Sequence, residues 1–361
     1  MHLSFHALRL RAREPLAEDA VALTLEVPPE LATEYAYLPG QHVAIRAVVA
    51  GREQRRTYSL LGPSGSGELK LGIRVQPAGG LSQHLAQGVR VGETVEVLGP
   101  TGRFIRATVA SARRHYLVLA AGSGITPVLA IVRAILSDEP ASAVTLIYGN
   151  RTTRRTMFLE ELLALKNRYL PRLALHFLMS AEPQDLELFD GRVDAGKLKG
   201  LAGVLFDPTD IDEVYVCGPG DMAATTRATL AELGVRSPVH SEQFTIATEP
   251  AAPAPTPTPT PTPQAAAAAT LVTIVQDGRR RSFPMDASDA SVLDAAERAG
   301  FELPFSCRSG VCSTCRARLV RGTATMAHNV ALEDWELEAG YVLCCQLRPT
   351  GGELELTYDE K

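Results

Sequence analysis

Long apolar runs are missing from this sequence of 361 residues. A helix needs roughly 18 or more consecutive apolar residues to cross a bilayer, and no stretch of the sequence is that apolar. Residues 1–6 alternate apolar and polar side chains and lack the apolar core of a secretory signal. We therefore expect neither a membrane span nor a secreted protein.

Positive charge is not in excess either, because 36 Lys and Arg face 41 Asp and Glu. The net charge of −5, without a dense basic stripe, argues against a nucleic-acid partner. Cysteine is also scarce: there are six, too few for a disulfide scaffold, and five of them fall between positions 307 and 345. This clustering favours a metal site in a reducing compartment, so we expect a cytoplasmic protein.

The clustered cysteines have a recognisable spacing. Cys307, Cys312 and Cys315 read C-x4-C-x2-C, which is the plant-type [2Fe–2S] signature. Cys344 and Cys345 are adjacent, so at most one of them is expected to be the fourth ligand. The alternative is a zinc site on the C-x2-C pair. Zinc usually takes a second pair or nearby histidines, and the only histidine downstream has no partner.

A low-complexity segment divides the chain. Residues 248–269 contain alternating Pro and Thr followed by five alanines, which predicts a semi-rigid polyproline-II spacer; a linker that merely drifts in composition is the alternative. We predict three domains, over 1–108, 109–247 and 270–361, with the clustered cysteines in the last.

Each predicted domain has its own pattern of secondary structure. Residues 1–108 show short period-2 runs punctuated by Gly and Pro, which predicts an antiparallel β-barrel or sandwich. Residues 109–247 alternate apolar strands with helices, which predicts a parallel α/β sheet. In the last domain, Asp277-Gly278 predicts a hairpin, 291–299 a short helix and 353–357 an edge strand.

The first chemical motif lies on the predicted strand 54–61. A flavin needs a flat partner for its ring and a cation for its phosphates. Arg56 and Tyr58 share one face of the strand and are followed by Ser59. Arg74 adds a second cation, and the turn 79–82, ending in Ser82, precedes a short helix that suits a phosphate. The alternative is an ordinary strand with an exposed arginine.

Two glycine-rich strand ends mark the nucleotide domain. Gly122-Ser123-Gly124-Ile125-Thr126-Pro127 separates a buried strand from a helix and lets a pyrophosphate approach the helix N-terminus. It lacks the full G-x-G-x-x-G pattern, and a tight βα turn is the alternative. Cys217-Gly218-Pro219 ends a later strand, where a thiol can lie against a nicotinamide. The alternative there is a small buried cysteine.

The turn after the second strand of this domain is basic. It carries Arg151, Arg154 and Arg155 and no acid before Glu160. An arginine at this edge accommodates the 2′-phosphate of NADP, whereas an acid favours NAD. The turn therefore favours NADPH, with a solvated basic turn as the alternative.

In this order, the motifs resemble the ferredoxin–NADP reductase family fused to a C-terminal plant-type ferredoxin. The resemblance covers nearly all of the chain except the linker. It rests on segments similar to the family's flavin, nucleotide, terminal and cluster motifs: Arg56-x-Tyr58-Ser59, Gly122–Pro127, Cys217-Gly218-Pro219, Ser241-Glu242-Gln243-Phe244 and Gly340–Gln346.

The resemblance implies an FAD-binding antiparallel β-barrel, an α/β nucleotide domain and an α+β domain of the β-grasp type. It places Cys345 as the fourth iron ligand and Cys344 in a slot for a small residue. It also implies the roles of the other candidates. Flavin would be held by Arg56, Tyr58, Ser59, Arg74, Ser82, Glu242 and Phe244; the nucleotide by Gly122, Gly124, Pro127, Gly218, Pro219, Arg151 and Arg155; and the reacting nicotinamide would lie near Thr126 and Cys217.

The implied function is electron transfer from NADPH through FAD and a [2Fe–2S] cluster to a separate oxygenase. Residues 121–131 and 146–151 are especially similar to the reductases that serve the di-iron phenylacetyl-CoA epoxidases. Reductases of Rieske ring hydroxylases or steroid hydroxylases, some of which use FMN or NADH, are the nearest alternative. A non-enzymatic iron–sulfur redox sensor is the alternative from another class.

Overall fold

The computed structural model describes residues 4–76, 80–244 and 270–360. They form two compact units, one over Ser4–Phe244 and one over 270–360. The linker predicted over 248–269 and Gly79 of the predicted phosphate turn lie outside the described residues. Within the described residues, no helix is long and apolar enough to cross a membrane.

The first part of the larger unit is a closed six-stranded barrel in the order β1-β2-β5-β4-β3-β6. Because side chains alternate along a strand, one face of each strand supplies the core, which includes Leu8, Leu23 and Ile45. A short helix α1 (Leu81–Gln83) continues into a π-helical turn, His84–Gly88. The strands are β1 (Phe5–Ala17), β2 (Ala20–Glu26), β3 (His42–Val49), β4 (Arg52–Leu61), β5 (Glu68–Arg74) and β6 (Thr94–Thr101).

The second part of this unit is a five-stranded parallel sheet in the order β11-β10-β7-β8-β9. Apolar clusters cover both faces, which explains why its inner strands are continuous apolar runs. The strands are β7 (His115–Ala121), β8 (Ala143–Asn150), β9 (Leu173–Met179), β10 (Glu213–Gly218) and β11 (Val239–Gln243), and the helices are α2 (Ile125–Asp138), α3 (Leu159–Arg168), α4 (Ala195–Leu201) and α5 (Met222–Glu232).

The smaller unit is built on a mixed sheet in the order β13-β12-β18-β14-β16, with a two-stranded sheet β15-β17. Asp277 and Gly278 both have positive φ, 53° and 69°, as a two-residue hairpin turn requires. The strands are β12 (Thr270–Gln276), β13 (Arg279–Met285), β14 (Arg316–Arg321), β15 (Ala324–Met326), β16 (Tyr341–Leu343), β17 (Leu347–Pro349) and β18 (Glu353–Thr357), and the helices are α6 (Val292–Arg298) and α7 (Asp334–Glu338).

The predicted fold class is confirmed: an antiparallel barrel, a parallel α/β sheet and an α+β domain. The prediction of an edge strand at 353–357 was wrong, because β18 lies between β12 and β14. Leu354 and Leu356 are buried on one face of the strand. The alternation of apolar residues shows which face of the strand is buried. It does not show whether the strand has a neighbour on one edge or on both. The predicted boundary at 108/109 falls between β6 and β7.

Candidate functional site

Three strands of the barrel bring polar side chains together at the start of β3. His42 pairs in register with Ser59 on β4 and with Thr101 on β6. Register partners on neighbouring strands share a face of the sheet, so the three side chains form one cluster. His42 and Ser59 are each 2% exposed. Gly102 has φ +106°, and a Cβ there would lie 2.8 Å from the imidazole Nδ1, so the ring needs a glycine beside it.

The cluster gains a carboxylate from the nucleotide sheet. Glu242 on β11 places its Oε1 3.2 Å from Nδ1 of His42, and the two side chains are 9% and 2% exposed. Glu242 also pairs in register with Cys217 on β10. Burial raises the pKa of the Cys217 thiol well above its usual range, and the charge of Glu242 adds to the rise. Phe244 packs against the apolar cluster that contains Cys217.

Four atoms of this polar cluster have no hydrogen-bond partner among the described residues: Ser59 Oγ, Thr101 Oγ1, His42 Nε2 and Glu242 Oε2. Leaving a buried polar atom unsatisfied costs about 1–3 kcal/mol, so several in one place call for a partner of matching polarity. A flavin ring carries nitrogen and oxygen atoms along its edge, and these residues therefore fit a flavin.

The other predicted flavin residues of β4 lie in different surroundings. Burial raises the pKa of the Tyr58 phenol, consistent with a partly buried ring. Arg56 is exposed, and its guanidinium donates to the carbonyl oxygen of Arg55 at 2.8 Å. Its position leaves the cation accessible to a phosphate.

Two of the arginines that were predicted to bind phosphates contact the same carboxylate. Nη1 of Arg74 lies 2.8 Å and 3.0 Å from the two oxygens of Asp19, and Arg155 donates to the same carboxylate. Nη2 of Arg74 also donates to the carbonyl oxygen of Arg155 at 2.8 Å. Arg74 lies on the barrel and Arg155 on the nucleotide domain, so this group, named here the Asp19 cluster, joins the two.

After β5 the structure describes residues 75 and 76 and then resumes at Gly80. Ser82 is 7% exposed, and its hydroxyl accepts a hydrogen bond from the Gln76 backbone N–H at 3.1 Å. The backbone N–H of Leu81 donates to Oε1 of Gln54 at 3.0 Å. Both groups therefore already have hydrogen-bond partners within the protein.

The glycine turn of the nucleotide domain lies directly against the end of β10. A Cβ on Gly124 would lie 2.2 Å from the carbonyl oxygen of Cys217, so only glycine allows this approach. A Cβ on Gly218 would lie 2.2 Å from the sulfur of Met222. The predicted segments Gly122–Pro127 and Cys217–Pro219 are therefore adjacent in space. Thr126 is 2% exposed, and its hydroxyl donates to the carbonyl oxygen of Ser123 at 3.0 Å.

The basic turn after β8 contacts an acidic residue, Glu182, that is distant from it in the sequence. The carboxylate of Glu182 accepts from the backbone N–H and the hydroxyl of Thr153, each at 2.7 Å. These two hydrogen bonds lower the pKa of Glu182. Arg151 is exposed, and Arg154 lies 3.6 Å from Glu18. Thr153 and Glu182 are 29 positions apart, so only the fold brings the acid to the turn.

The cysteine loop of the smaller unit folds back on itself. Arg308, Gly310 and Ser313 all have positive φ, of 55°, 77° and 51°. The carbonyl oxygen of Gly310 accepts from the backbone N–H groups of Val330 and Ala331, each at 3.1 Å. These contacts fix the loop that carries three of the cysteines.

The structure separates the two adjacent cysteines. The Cys345 sulfur contacts those of Cys307 and Cys315, and the Cys307 sulfur also contacts that of Cys312. Cys344 is fully buried and lies against the phenol of Tyr358. Burial raises the pKa of the Cys344 thiol. The thiols that converge are therefore those of Cys345 and the three loop cysteines.

The surroundings of these thiols fit an iron–sulfur cluster. The backbone N–H of Ser309 donates to the Cys307 sulfur at 3.4 Å, and the buried hydroxyls of Ser306 and Ser309 have no partner among the described residues. Hydrogen bonds to the sulfurs help to set the potential of such clusters. Over the described residues, no set of three or more His, Cys, Asp or Glu side chains is arranged for a single metal ion.

Three family models match the chain in succession. The oxidoreductase FAD-binding domain matches residues 7–105, the oxidoreductase NAD-binding domain 118–228 and the 2Fe-2S iron-sulfur cluster binding domain 274–350. A subunit of the 1,2-phenylacetyl-CoA epoxidase from Escherichia coli K12 is 38% identical over 99% of both chains. The ferredoxin reductase component of 3-ketosteroid-9-alpha-monooxygenase from Rhodococcus rhodochrous is 31% identical over 94% of this chain and 93% of that protein.

Solved structures share the fold. Phthalate dioxygenase reductase is 23% identical with a TM-score of 0.57, and the match covers 98% of both chains. An intact type IV self-sufficient cytochrome P450 monooxygenase has a TM-score of 0.66 at 21% identity; the match covers 98% of this chain and 41% of the P450 chain. The sequence resemblance is thus confirmed. The chain belongs to the family of oxidoreductases that carry electrons from NAD(P)H through FAD to a [2Fe–2S] cluster, with a separate domain for each group in one polypeptide.

Proposed function

We propose that this protein is the reductase component of a di-iron oxygenase of the phenylacetyl-CoA epoxidase type and takes its electrons from NADPH. The observation that carries the proposal is the 38% identity to the epoxidase component over 99% of both chains. The ketosteroid monooxygenase reductases match over similar lengths at 31% to 33% identity. A steroid hydroxylase, or a Rieske ring hydroxylase, is therefore the second candidate for the acceptor.

The protein's own residues bind and orient the groups. A bound flavin supplies hydride acceptance followed by release of single electrons, chemistry that belongs to the cofactor. We propose that Ser59 and Glu242 contact the flavin edge, with Tyr58 and Phe244 packing against its rings and Arg56 binding its phosphates. The closed packing of Cys217 beside Glu242 keeps water away from that edge.

We further propose a site for the nicotinamide nucleotide at the carboxyl edge of the parallel sheet. Gly122 and Gly124 lie in the turn before α2, and Pro127 lies in the first turn of α2. Gly218 ends β10 beside them, and Pro219 follows it. A Cβ on Gly122 would meet nothing within 4 Å, so the start of this turn has open space for a pyrophosphate at a helix N-terminus. Thr126 and Cys217 lie at the inner end of this site, where the nicotinamide would meet the flavin.

For the cluster, we propose Cys307, Cys312, Cys315 and Cys345 as the ligands. The mutual contacts of their sulfurs support this set. Cys344 is turned toward Tyr358 and is not included.

We propose that NADPH is preferred over NADH and that Arg151 is the main determinant. Arg151 is exposed beside the strand end where the adenosine ribose binds in this type of site. Arg155 is engaged with Asp19, so its contribution depends on release from that carboxylate. Glu182 on Thr153 would disfavour a second anion in its immediate vicinity.

Replacing Arg151 with alanine tests the coenzyme preference. We expect KM for NADPH to rise about 10-fold, as loss of one hydrogen-bonded charge contact predicts, with KM for NADH changed less than about 2-fold. Steady-state reduction of ferricyanide with each coenzyme measures both values. Arg154→Ala is the matched control on the same turn, and we expect a smaller effect there because Arg154 faces Glu18. Equal changes with NADPH and NADH after Arg151→Ala would refute the assignment.

Reconstitution with candidate acceptors tests the proposed partner. The holoprotein is mixed with NADPH and either the oxygenase subunits of a phenylacetyl-CoA epoxidase or the oxygenase component of a 3-ketosteroid 9α-monooxygenase. We expect coupled product formation with the epoxidase and uncoupled NADPH consumption with the other. Turnover with the steroid oxygenase alone would replace the first candidate by the second.

We also propose a cytoplasmic location. All six cysteines lie within the described residues and none forms a disulfide, which suits a reducing compartment. Fractionation of cells that express the tagged full chain tests this location, and recovery outside the cytoplasm would contradict it.

A further inference from the structure

The buried pair formed by His42 and Glu242 joins the barrel to the nucleotide sheet. The two residues are 200 positions apart, and Nδ1 of the imidazole lies 3.2 Å from Oε1 of the carboxylate. With exposures of 2% and 9%, both side chains are withdrawn from water. A carboxylate buried without a partner is costly, and removing one member of a buried pair is strongly destabilising. The position of the Glu242 carboxylate therefore depends on His42.

Each member of the pair has one polar atom left over. His42 Nε2 and Glu242 Oε2 are buried and have no partner among the described residues. On the imidazole side, the in-register neighbours Ser59 and Thr101 likewise have unpartnered hydroxyls. Nδ1 and Oε1 thus pair with each other. We infer that Nε2 and Oε2 remain for the proposed flavin edge.

The backbone around the imidazole restricts it to this arrangement. Gly102 lies so close that a Cβ there would be 2.8 Å from Nδ1 and 2.9 Å from Cε1 of the ring. On the carboxylate side, Glu242 is held by the parallel pairing of β11 with β10, opposite Cys217. The rigid parts of the site are therefore two strand ends, and the hydrogen bond between the two side chains sets how they meet.

We propose that His42 is a positioning residue for hydride transfer, which acts by holding the Glu242 carboxylate beside Ser59 and Cys217. His42 itself need not touch the nicotinamide. The inference rests on the proposed function, because it assigns a role within the same flavin and nucleotide site. It predicts that the nitrogen at the Nδ1 position, and not the bulk or the second nitrogen of the ring, is what the site requires.

Two amide substitutions separate the ring nitrogens. In His42→Asn, the amide nitrogen occupies nearly the position of Nδ1, whereas in His42→Gln it reaches nearly to the position of Nε2. His42→Leu removes both nitrogens at similar volume. With FAD-reconstituted holoprotein and NADPH, we expect kcat for ferricyanide reduction to fall at least about 10-fold in His42→Leu and His42→Gln, the scale of one hydrogen bond to a charged group. His42→Asn should remain within about 3-fold of the wild type, and KM for NADPH should change less than about 2-fold in all three.

Removing the carboxylate shows whether His42 acts through it. Residues that work as one unit give non-additive effects, so His42→Leu in a Glu242→Gln background should lower kcat no further than Glu242→Gln alone. Multiplied losses in the double variant would overturn the proposal. So would equal activity of the Asn and Gln variants, which decides the question even if His42→Leu fails to fold.

A measurement on the apoprotein keeps this test apart from the proposed function. Thermal unfolding without FAD gives the same double-mutant cycle with no turnover involved, and we expect His42→Leu to lower Tm less in the Glu242→Gln background than in the wild-type background. Additive changes in Tm would show that His42 and Glu242 do not interact, and would overturn the proposal that His42 acts through Glu242. If wild-type holoprotein oxidises neither NADPH nor NADH while the apoprotein cycle is non-additive, the proposed function fails and the pairing stands.

Discussion

The two units of the molecule assemble their sites in opposite ways. In the smaller unit, three of the four converging thiols come from one loop, residues 307–315, and only Cys345 is distant. In the larger unit, the polar cluster draws His42, Ser59 and Glu242 from strands of two different sheets. The cysteine site depends mainly on residues close together in the sequence, whereas the polar cluster forms only when the barrel and the nucleotide sheet pack against each other.

The chemistry of the bound groups explains this contrast. Iron–thiolate bonds need ligands at fixed short distances, and a tight loop with positive φ at Arg308, Gly310 and Ser313 provides them locally. A flavin and a nucleotide are large and are held by many weaker contacts spread along their length. Such contacts can come from separate elements if their backbones can approach closely. Glycine at position 124 allows such an approach to Cys217.

The largest expected effect breaks the local site alone. We expect Cys345→Ser to abolish the visible iron–sulfur spectrum and reduction of a one-electron protein acceptor, because the cluster loses one of its four thiolates. NADPH-dependent ferricyanide reduction at the flavin should stay within about 2-fold of wild type, because the substitution changes no residue of the larger unit. Absorption spectra and parallel assays with cytochrome c and ferricyanide measure both.

The adjacent cysteine provides the matched control for that change. Cys344→Ser places a hydroxyl beside Tyr358 and leaves the converging thiols in place, so the spectrum should be retained. Loss of the spectrum in Cys344→Ser, with retention in Cys345→Ser, would exchange their roles and contradict the geometry described above.

The same contrast determines how much could be predicted from sequence. The cysteine loop, the Asp277-Gly278 hairpin and the glycine turn at Gly122–Gly124 depend on residues close together in the chain, and their fold context was predicted correctly. Alternation of apolar residues likewise predicted the barrel and the parallel sheet, since periodicity reports which face of each strand is buried.

Contacts across the fold left no comparable signal. His42 and Asp19 belong to no motif, and their partners Glu242 and Arg155 lie 200 and 136 positions away. That Arg74 binds a flavin phosphate stays a prediction, and its strand position gave no sign that its guanidinium would contact Asp19. A pattern of charge shows that a cation is present at a strand end, but its partner is set by strand register and domain packing.

A glycine substitution tests the close approach that builds the larger site. In Gly124→Ala the new Cβ would lie 2.2 Å from the carbonyl oxygen of Cys217, which is backbone and cannot rotate away. Overpacking of this kind costs about 1–3 kcal/mol, so Tm of this unit should fall by roughly 2–10 °C. We also expect lower affinity for NADPH, because the turn must move.

The control for Gly124→Ala is a glycine with open space around it. At Gly200, within α4, a Cβ would meet nothing within 4 Å, so alanine there should leave stability unchanged or slightly raised. Thermal unfolding monitored by circular dichroism and NADPH titration of both variants provide the comparison. If Gly124→Ala had the same Tm and NADPH affinity as Gly200→Ala, the close contact between the turn and Cys217 would not require glycine.

The smallest expected effect concerns the Asp19 cluster, where the larger unit depends on contacts between its domains. Asp19→Asn leaves Arg74 and Arg155 without a carboxylate, and loss of this partly exposed ionic group should cost about 1–2 kcal/mol. Tm should fall by roughly 2–8 °C, while the iron–sulfur spectrum stays unchanged. If Arg155 binds the 2′-phosphate once released, KM for NADPH should fall relative to KM for NADH. This shift should disappear in Asp19→Asn/Arg155→Ala; its persistence there would assign the change to another cation of the turn.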